Sequence, residues 1–209
     1  MRFSFCTLAL LSSICLFDQL GLGIVNVTFD TSTRVQFYTD TTLLEPINEI
    51  QFFKSNETAQ VNYKFKTADE SWFQPEAFWI NYDFFFFRCL EITPNYYKVL
   101  VNNESGLTYW IQRDSFLTYQ SWEDFLSSVL AIGRSNAEQQ IKTSNKKNGK
   151  SISFKGEDCF HVKQVKGDWL EITTIGVCTD EELTSGTLES GWIRWRNGTQ
   201  LLVKYSLIM

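Results

Sequence analysis

The sequence predicts a mainly β chain: two small β-barrels joined by one amphipathic helix, behind an N-terminal export signal. Three observations predict it. The first is an internal echo. The run Phe87-Arg88-Cys89-Leu90-Glu91-Ile92-Thr93-Pro94-Asn95-Tyr96-Tyr97-Lys98-Val99 is answered 73 positions on by Phe160-His161-Val162-Lys163-Gln164-Val165-Lys166-Gly167-Asp168-Trp169-Leu170-Glu171-Ile172. Apolar falls on apolar at Phe87/Phe160, Cys89/Val162, Ile92/Val165 and Val99/Ile172, and the turn Pro94-Asn95 falls on Gly167-Asp168. Tyr109-Trp110-Ile111 then answers Gly191-Trp192-Ile193 at a spacing of 82, so the second copy carries nine more residues before that strand. A fixed-spacing echo marks a duplicated supersecondary unit. The second observation is apolar-polar alternation of period two in stretches rich in Val, Ile, Thr and aromatics, which is the pattern of half-buried strands. The third is a single stripe of helical period.

The elements follow in order. Residues 1–23 read as an export signal: Arg2 is a thin positive region, Phe3 to Phe17 is mostly apolar, and Gly21-Leu22-Gly23 offers small-x-small cleavage geometry. Fifteen residues are too few to cross a hydrocarbon core of about 30 Å at 1.5 Å per residue. The mature chain is therefore expected near Ile24, without a transmembrane span, in the periplasm, on the envelope or secreted. The other reading makes this stretch a buried first element of the domain.

Module one, residues 24–119, carries candidate strands at Arg34–Tyr38, Glu49–Phe53, Gln60–Phe65, Phe84–Ile92, Tyr96–Val101 and Leu107–Gln112. Phe84-Phe85-Phe86-Phe87 does not alternate, so both of its faces should be covered, by the helix or the second module. Residues 120–134 form the linking helix. Ser121 caps it with Asp124 three residues on, Trp122, Phe125, Leu126, Val129 and Leu130 make one apolar stripe, and Gly133 stops it. Its polar face holds Glu123 and Asp124 rather than lysines, so it packs on the core rather than a membrane.

Module two, residues 135–209, opens with the lysine-rich turn Lys142 to Lys150, read as a solvated loop. Strands follow at Ser151–Phe154, Phe160–Val165, Trp169–Val177, Gly191–Arg196 and Leu201–Tyr205, with a polar excursion over Thr179–Ser190.

Composition and side-chain chemistry narrow the function. The 209 residues are 44% hydrophobic, enough for a sizeable core, and carry a net charge of −5. Such an acidic chain is a poor partner for nucleic acid, whose phosphates demand clustered Lys and Arg. Cys159 and Cys178 flank the hairpin that turns at Lys166-Gly167-Asp168, which makes them disulfide candidates in an oxidising compartment; two reduced, buried thiols are the other reading. Cys89 falls on an apolar repeat position and reads as a core residue. Scattered sulfurs and the single His161 do not make a zinc site, and neither a metal nor a cofactor is expected. His161 alternates with Phe160 and Val162 and should face outward, and paired acids such as Glu123/Asp124 point apart, so no catalytic residue is named. Asn26, Asn56, Asn103 and Asn197 each begin an N-x-S/T triplet.

Val165-Lys166-Gly167-Asp168-Trp169-Leu170-Glu171-Ile172, followed by Gly191-Trp192-Ile193-Arg194-Trp195, resembles the bacterial SH3-like family. There, a strand leads through a Gly-Asp or Asn-Gly turn to a Trp-x-x-Val/Ile strand, and a Gly-Trp-Val/Ile motif begins a later one. The likeness covers Phe160 to Tyr205 and, more faintly, Phe87 to Ile111. The Asn-Val-Arg-x-Gly-Pro-Ser type segment that often opens family members does not occur in this chain. The resemblance implies tandem SH3-like barrels and a non-enzymatic envelope or secreted protein that binds a peptide, a cell-wall glycan or a protein. Exposed aromatics are the candidate binding residues: Tyr96, Tyr97 and Trp110 in module one, and Trp169, Trp195 and Tyr205 in module two. Function is expected on module two, where the match is better. Two other classes stand beside it: a cell-wall or peptide hydrolase with a loop-assembled site, and a structural or inhibitor protein whose partner covers the Phe84–Phe87 face.

Overall fold

The structure, a computed structural model, describes residues 20–54, 61–175 and 188–208. It is mainly β. The first half runs through β1 (Gly23–Val27), β2 (Arg34–Tyr38), β3 (Asn48–Lys54), β4 (Val61–Phe65), β5 (Ala77–Trp79), a 3-10 turn at Ile80–Tyr82, β6 (Phe84–Ile92), β7 (Tyr96–Asn102), β8 (Leu107–Gln112) and β9 (Leu117–Ser121). Helix α1 (Trp122–Ser128) follows. The second half holds β10 (Ala131–Arg134), β11 (Ile141–Lys142), β12 (Ser151–Ile152), β13 (Phe160–Lys166), β14 (Trp169–Thr174), β15 (Gly191–Arg194), β16 (Arg196–Asn197), β17 (Gln200–Leu201) and β18 (Val203–Ser206).

The echo in the sequence is an echo in the hydrogen-bonded ladder. In the β6–β7 hairpin Arg88 pairs with Leu100, Cys89 with Val99, Glu91 with Lys98 and Ile92 with Tyr97. Adding 73 to every number gives His161 with Thr173, Val162 with Ile172, Gln164 with Glu171 and Val165 with Leu170, which are the pairs of β13–β14. Each hairpin slips register at the same place, between Cys89 and Glu91 in one and between Val162 and Gln164 in the other. Such a bulge sets two residues against one and sharpens the local twist. The next ladder repeats as well: Tyr97 faces Ile111 and Val99 faces Tyr109 in β7–β8, as Leu170 faces Ile193 and Ile172 faces Gly191 in β14–β15.

The duplication extends beyond the meander. The first sheet is ordered β4-β3-β2-β8-β7-β6-β1-β9, with β5 beside β6, and the second β12-β11-β15-β14-β13-β10-β18. From β3 to β9 the first order is the second, strand for strand, and β4 and β5 are the strands that the second sheet lacks among the described residues. The first sheet curls over its own core, because Phe52 of β3 meets Phe85 of β6 at 6.1 Å although β2, β8 and β7 lie between their strands. Phe85 and Phe87 face that core with Phe37, Ile50 and Val99.

The second core is shared. Leu20, Ile24, Ala77 and Phe86 of the first half pack with Trp122, Phe125 and Leu126 of α1 and with Phe160, Leu170, Ile193 and Trp195. Phe86 reaches the Phe125 ring at 5.8 Å, so the Phe84–Phe87 run is covered on both faces from within the chain. A partner is therefore not needed to cover it. Polar bonds cross the same seam. Glu76, just before β5, accepts from Tyr205 Oη of β18, from Arg88 Nε at 2.6 Å and from Asn103 Nδ2 at 2.9 Å. Burial, and then the Glu76 charge, raise the Tyr205 phenol above its ordinary range, so it stays a donor.

Several expectations are corrected. The helix ends at Ser128, not near Ile132. Ser121 does cap it, its hydroxyl accepting from the Asp124 amide at 3.1 Å, but Val129 is already extended. Ala131–Arg134 then pairs with β18 and β13, so Gly133 lies in a strand instead of stopping the helix, and the expected 120–134 linker contributes to both sheets. At the other end, residues 20–23 belong to the fold. Leu20 is buried, its carbonyl accepts Trp122 Nε1 at 2.8 Å, and Gly23 is the first residue of β1. Cleavage after Gly23 would cut into that strand; residues 1–19 lie outside the described residues.

Cys159 is a disulfide half-cystine. Cys178, its expected partner, lies outside the described residues. Cys89 is free and buried in the first core, its thiol pushed up to about 12 by burial, which makes it inert packing. Lys142 donates to the Lys147 and Gly149 carbonyls at 3.0 and 3.3 Å, closing the lysine-rich turn on itself. His161 faces solvent, as alternation requires.

Candidate functional site

The exposed aromatics gather at the edge of the first sheet. Residues Ala77–Trp79 pair with Phe84–Phe86, and the 3-10 turn of Ile80–Tyr82 joins the two strands. Asp83 closes that turn in the left-handed region at φ 58°, its amide donating to the Ile80 carbonyl at 3.2 Å. Asp tolerates this conformation better than most residues, because its short polar side chain relieves the local strain. The hairpin so formed stands against β4, with a cleft of about 380 Å³ lined by Val61, Asn62, Tyr63, Phe78, Trp79 and Tyr82, besides Ile80 and Asn81.

Phe78 anchors the cleft to the core: its ring meets Phe85 at 4.8 Å, Phe73 at 5.0 Å and Tyr63 at 4.6 Å. Other rings stay open to solvent. Tyr63 is 37% exposed, Trp79 47% and Tyr82 58%, values high enough for each to offer a face to a ligand. No lining residue carries a formal charge, and two tyrosines and a tryptophan are among them. Such a surface suits recognition by apolar contact and neutral hydrogen bonds.

None of the six aromatics expected to bind lines this cleft. Trp195 is fully buried and its Nε1 donates to the Gly167 carbonyl at 2.8 Å, so it is core. Tyr97 is buried too, stacked on Tyr119 at 6.4 Å with the Arg113 guanidinium 5.0 Å from its ring. Tyr205 is committed to Glu76 and packs edge-on against Phe125 at 5.0 Å. These three are corrections, and alternation explains two of them: Trp195 is in phase with Ile193, and Tyr97 with Val99. Tyr96 and Trp110 are half-buried on the outward side of the first sheet, where Tyr96 meets Tyr38 at 6.3 Å and Lys98 Nζ lies 5.6 Å from the Trp110 ring. Trp169 and Trp192 hold the corresponding positions of the second sheet, also half-buried. The structure thus splits the expected set between two sheets and two cores.

Sequence reasoning missed Trp79, Tyr82 and Phe78, because no strand was read between Phe65 and Phe84. The signal was the string Ala77-Phe78-Trp79-Ile80-Asn81-Tyr82, a short aromatic run bounded by Pro75 and Asp83. A second cleft, of about 390 Å³, lies beside Arg134, Asp158 and Lys204. Its guanidinium is spent on structure, binding Asp158 at 2.7 and 2.8 Å and the carbonyls of Ala137 and Gln139.

Among the described residues, the carboxyls with displaced titration are all pulled down. The Ser32 hydroxyl does this to Asp30, the Thr42 amide to Asp40, the Ser71 hydroxyl to Asp69 and Arg196 to Asp168. A general acid needs the opposite displacement. Among the described residues no group of three or more His, Cys, Asp and Glu side chains is placed to hold a metal, and no helix is long and apolar enough to cross a membrane. No family model matches the chain, and neither a curated protein nor a solved structure matches it significantly.

Proposed function

We propose that this chain is an exported, non-enzymatic binding protein, a tandem of SH3-like barrels fused along a common core. On this reading it receives a peptide, glycan or protein segment in the cleft between β4 and the Ile80–Tyr82 turn. The observation that carries it is the grouping of Tyr63, Trp79 and Tyr82, open to solvent, around an uncharged cleft. Large exposed aromatics cost solvation free energy unless something covers them, and flat rings lose little entropy when it does. The strand-for-strand repetition of β13–β14–β15 in β6–β7–β8 supports the tandem, since the family resemblance rests on the former. The disulfide at Cys159 supports an oxidising compartment. An export signal within residues 1–19, cleaved ahead of Leu20, would leave the packed Leu20–Gly23 segment whole.

Trp79→Ala and Tyr82→Ala test the reading. Both side chains are exposed, so each variant should keep its stability within about 0.5 kcal/mol by urea denaturation. Against a peptide array and a panel of neutral hexasaccharides, wild type should be retained by members of at least one set. Each variant should bind those members about tenfold more weakly, the cost of truncating an aromatic anchor. Equal retention of wild type and both variants would contradict the assignment.

A further inference from the structure

β4 ends the first sheet, and its outer edge is unpaired among the described residues. Which backbone groups it presents follows from the register. The Lys66 amide donates to the Glu49 carbonyl at 2.9 Å, and Gln51 lies opposite Lys64, Phe53 opposite Asn62. Hydrogen-bonded and non-bonded pairs alternate in an antiparallel ladder, so the backbones of Asn62 and Lys64 turn toward β3. Those of Tyr63 and Phe65 turn away, and no described backbone group bonds to them.

The side chains of this strand sort by face. Tyr63 and Phe65 stand on the side of Phe78 and Phe73, with ring centroids 4.6 and 5.1 Å apart. Asn62 and Lys64 stand on the other side, both exposed, and Lys64 has no ion pair among the described residues. An added strand would therefore set alternate residues against an uncharged aromatic wall and beside an unneutralised cation. A five-residue strand bearing a lysine is guarded against indiscriminate pairing, so selective addition needs complementary charge.

We propose that the ligand of this cleft is an extended peptide that adds to β4 as a further strand, with apolar residues toward Tyr63, Phe78 and Trp79 and acidic residues beside Lys64. The proposal rests on the cleft being the binding site and goes beyond it by naming the ligand class. Main-chain bonds to Tyr63 and Phe65 would supply affinity, and the alternating faces would supply selectivity.

Amide exchange by NMR on the full chain tests it, with a capped eight-residue peptide of alternating valine and glutamate as probe. Saturating peptide should slow exchange of the Tyr63 and Phe65 amides about tenfold or more and leave those of Asn62 and Lys64 little changed. Tyr63→Pro, which removes the outward N–H at an edge position that tolerates proline, should abolish binding. Tyr63→Ala, which keeps the N–H, should weaken it less, and a valine–lysine peptide should bind about tenfold more weakly than the glutamate one. Lack of binding at millimolar peptide would overturn the proposal, as would binding that leaves the Tyr63 amide unprotected. Protection that appears without peptide as protein concentration rises would also overturn it, in favour of pairing between two copies. If a neutral hexasaccharide binds in a Trp79-dependent manner while these amides stay open, strand addition falls and the cleft remains the site.

Discussion

Replacing Trp195 by alanine is expected to destabilise the fold by about 3–5 kcal/mol, the range for removing a large ring from a packed core. The ring is fully buried in the shared core with Leu170, Ile193 and Val203. Its indole N–H donates to the Gly167 carbonyl at 2.8 Å, and the Arg196 guanidinium sits 4.5 Å from the ring. The same residue organises the corner backbone, because its amide donates to the Asp168 carbonyl at 3.0 Å and its carbonyl accepts from Leu202 at 2.8 Å. Arg196 in turn donates to Asp168 at 2.7 Å and lies 3.8 Å from Glu123 of α1. A loss of this size is a large part of the 5–15 kcal/mol typical of a domain. Urea denaturation checks it. A loss below about 1 kcal/mol, with ligand binding impaired, would mean that the ring faces a ligand after all.

Glu76→Ala is expected to cost a comparable amount, about 3–5 kcal/mol, because it strips a nearly buried ion pair of its acceptor. The Arg88 side chain is 14% exposed and that of Glu76 7%, so water replaces the lost carboxylate poorly. The Tyr205 hydroxyl and the Asn103 amide lose the same acceptor. Glu76→Gln keeps an acceptor oxygen and should cost less. Glu76 precedes β5 and Tyr205 lies on β18, so a Glu76/Tyr205 double-mutant cycle measures how strongly the two halves are joined. Coupling above about 0.5 kcal/mol is the expected result. Additive effects, or a tryptophan fluorescence transition separated from the far-UV transition in wild type, would show two halves that unfold independently.

How far this was legible in the sequence depends on which interactions set each element. Phe84–Ile92 and Leu107–Gln112 were readable to the residue, because aromatic content and flanking turns agree in both and alternation agrees with them in the second. The paired turns at Pro94-Asn95 and Gly167-Asp168 located both hairpins, and the gapless echo implied their common register. β1 was hidden because Gly23-Ile24-Val25 runs straight on from an apolar stretch that reads as an export signal. β10 was hidden by Gly133, which stops helices in isolation; here a Cβ at that position would meet the Asp158 carbonyl at 2.9 Å, so close approach is the role of this glycine. The short strands β11 and β12 are tertiary products, two residues each, with little local signal. The site was illegible for a related reason. Exposure of Trp79 and burial of Trp195 depend on which strand lies opposite, and residue type alone does not record that. Phase along Gly191-Trp192-Ile193-Arg194-Trp195 sets Trp195 with the buried Ile193, a signal that the reading of Trp195 as an exposed aromatic passed over.

The central claim is that the protein binds through the cleft of its first sheet and not through the aromatics of its second. One measurement tests it most directly: titration of the valine–glutamate peptide into Trp79→Ala/Tyr82→Ala and Trp169→Ala/Trp192→Ala double variants, each first checked for a native far-UV spectrum. The account predicts loss of binding in the first and an affinity within about twofold of wild type in the second. Unchanged binding in the first, with loss in the second, would contradict it and return the site to the half-buried tryptophans of the second sheet.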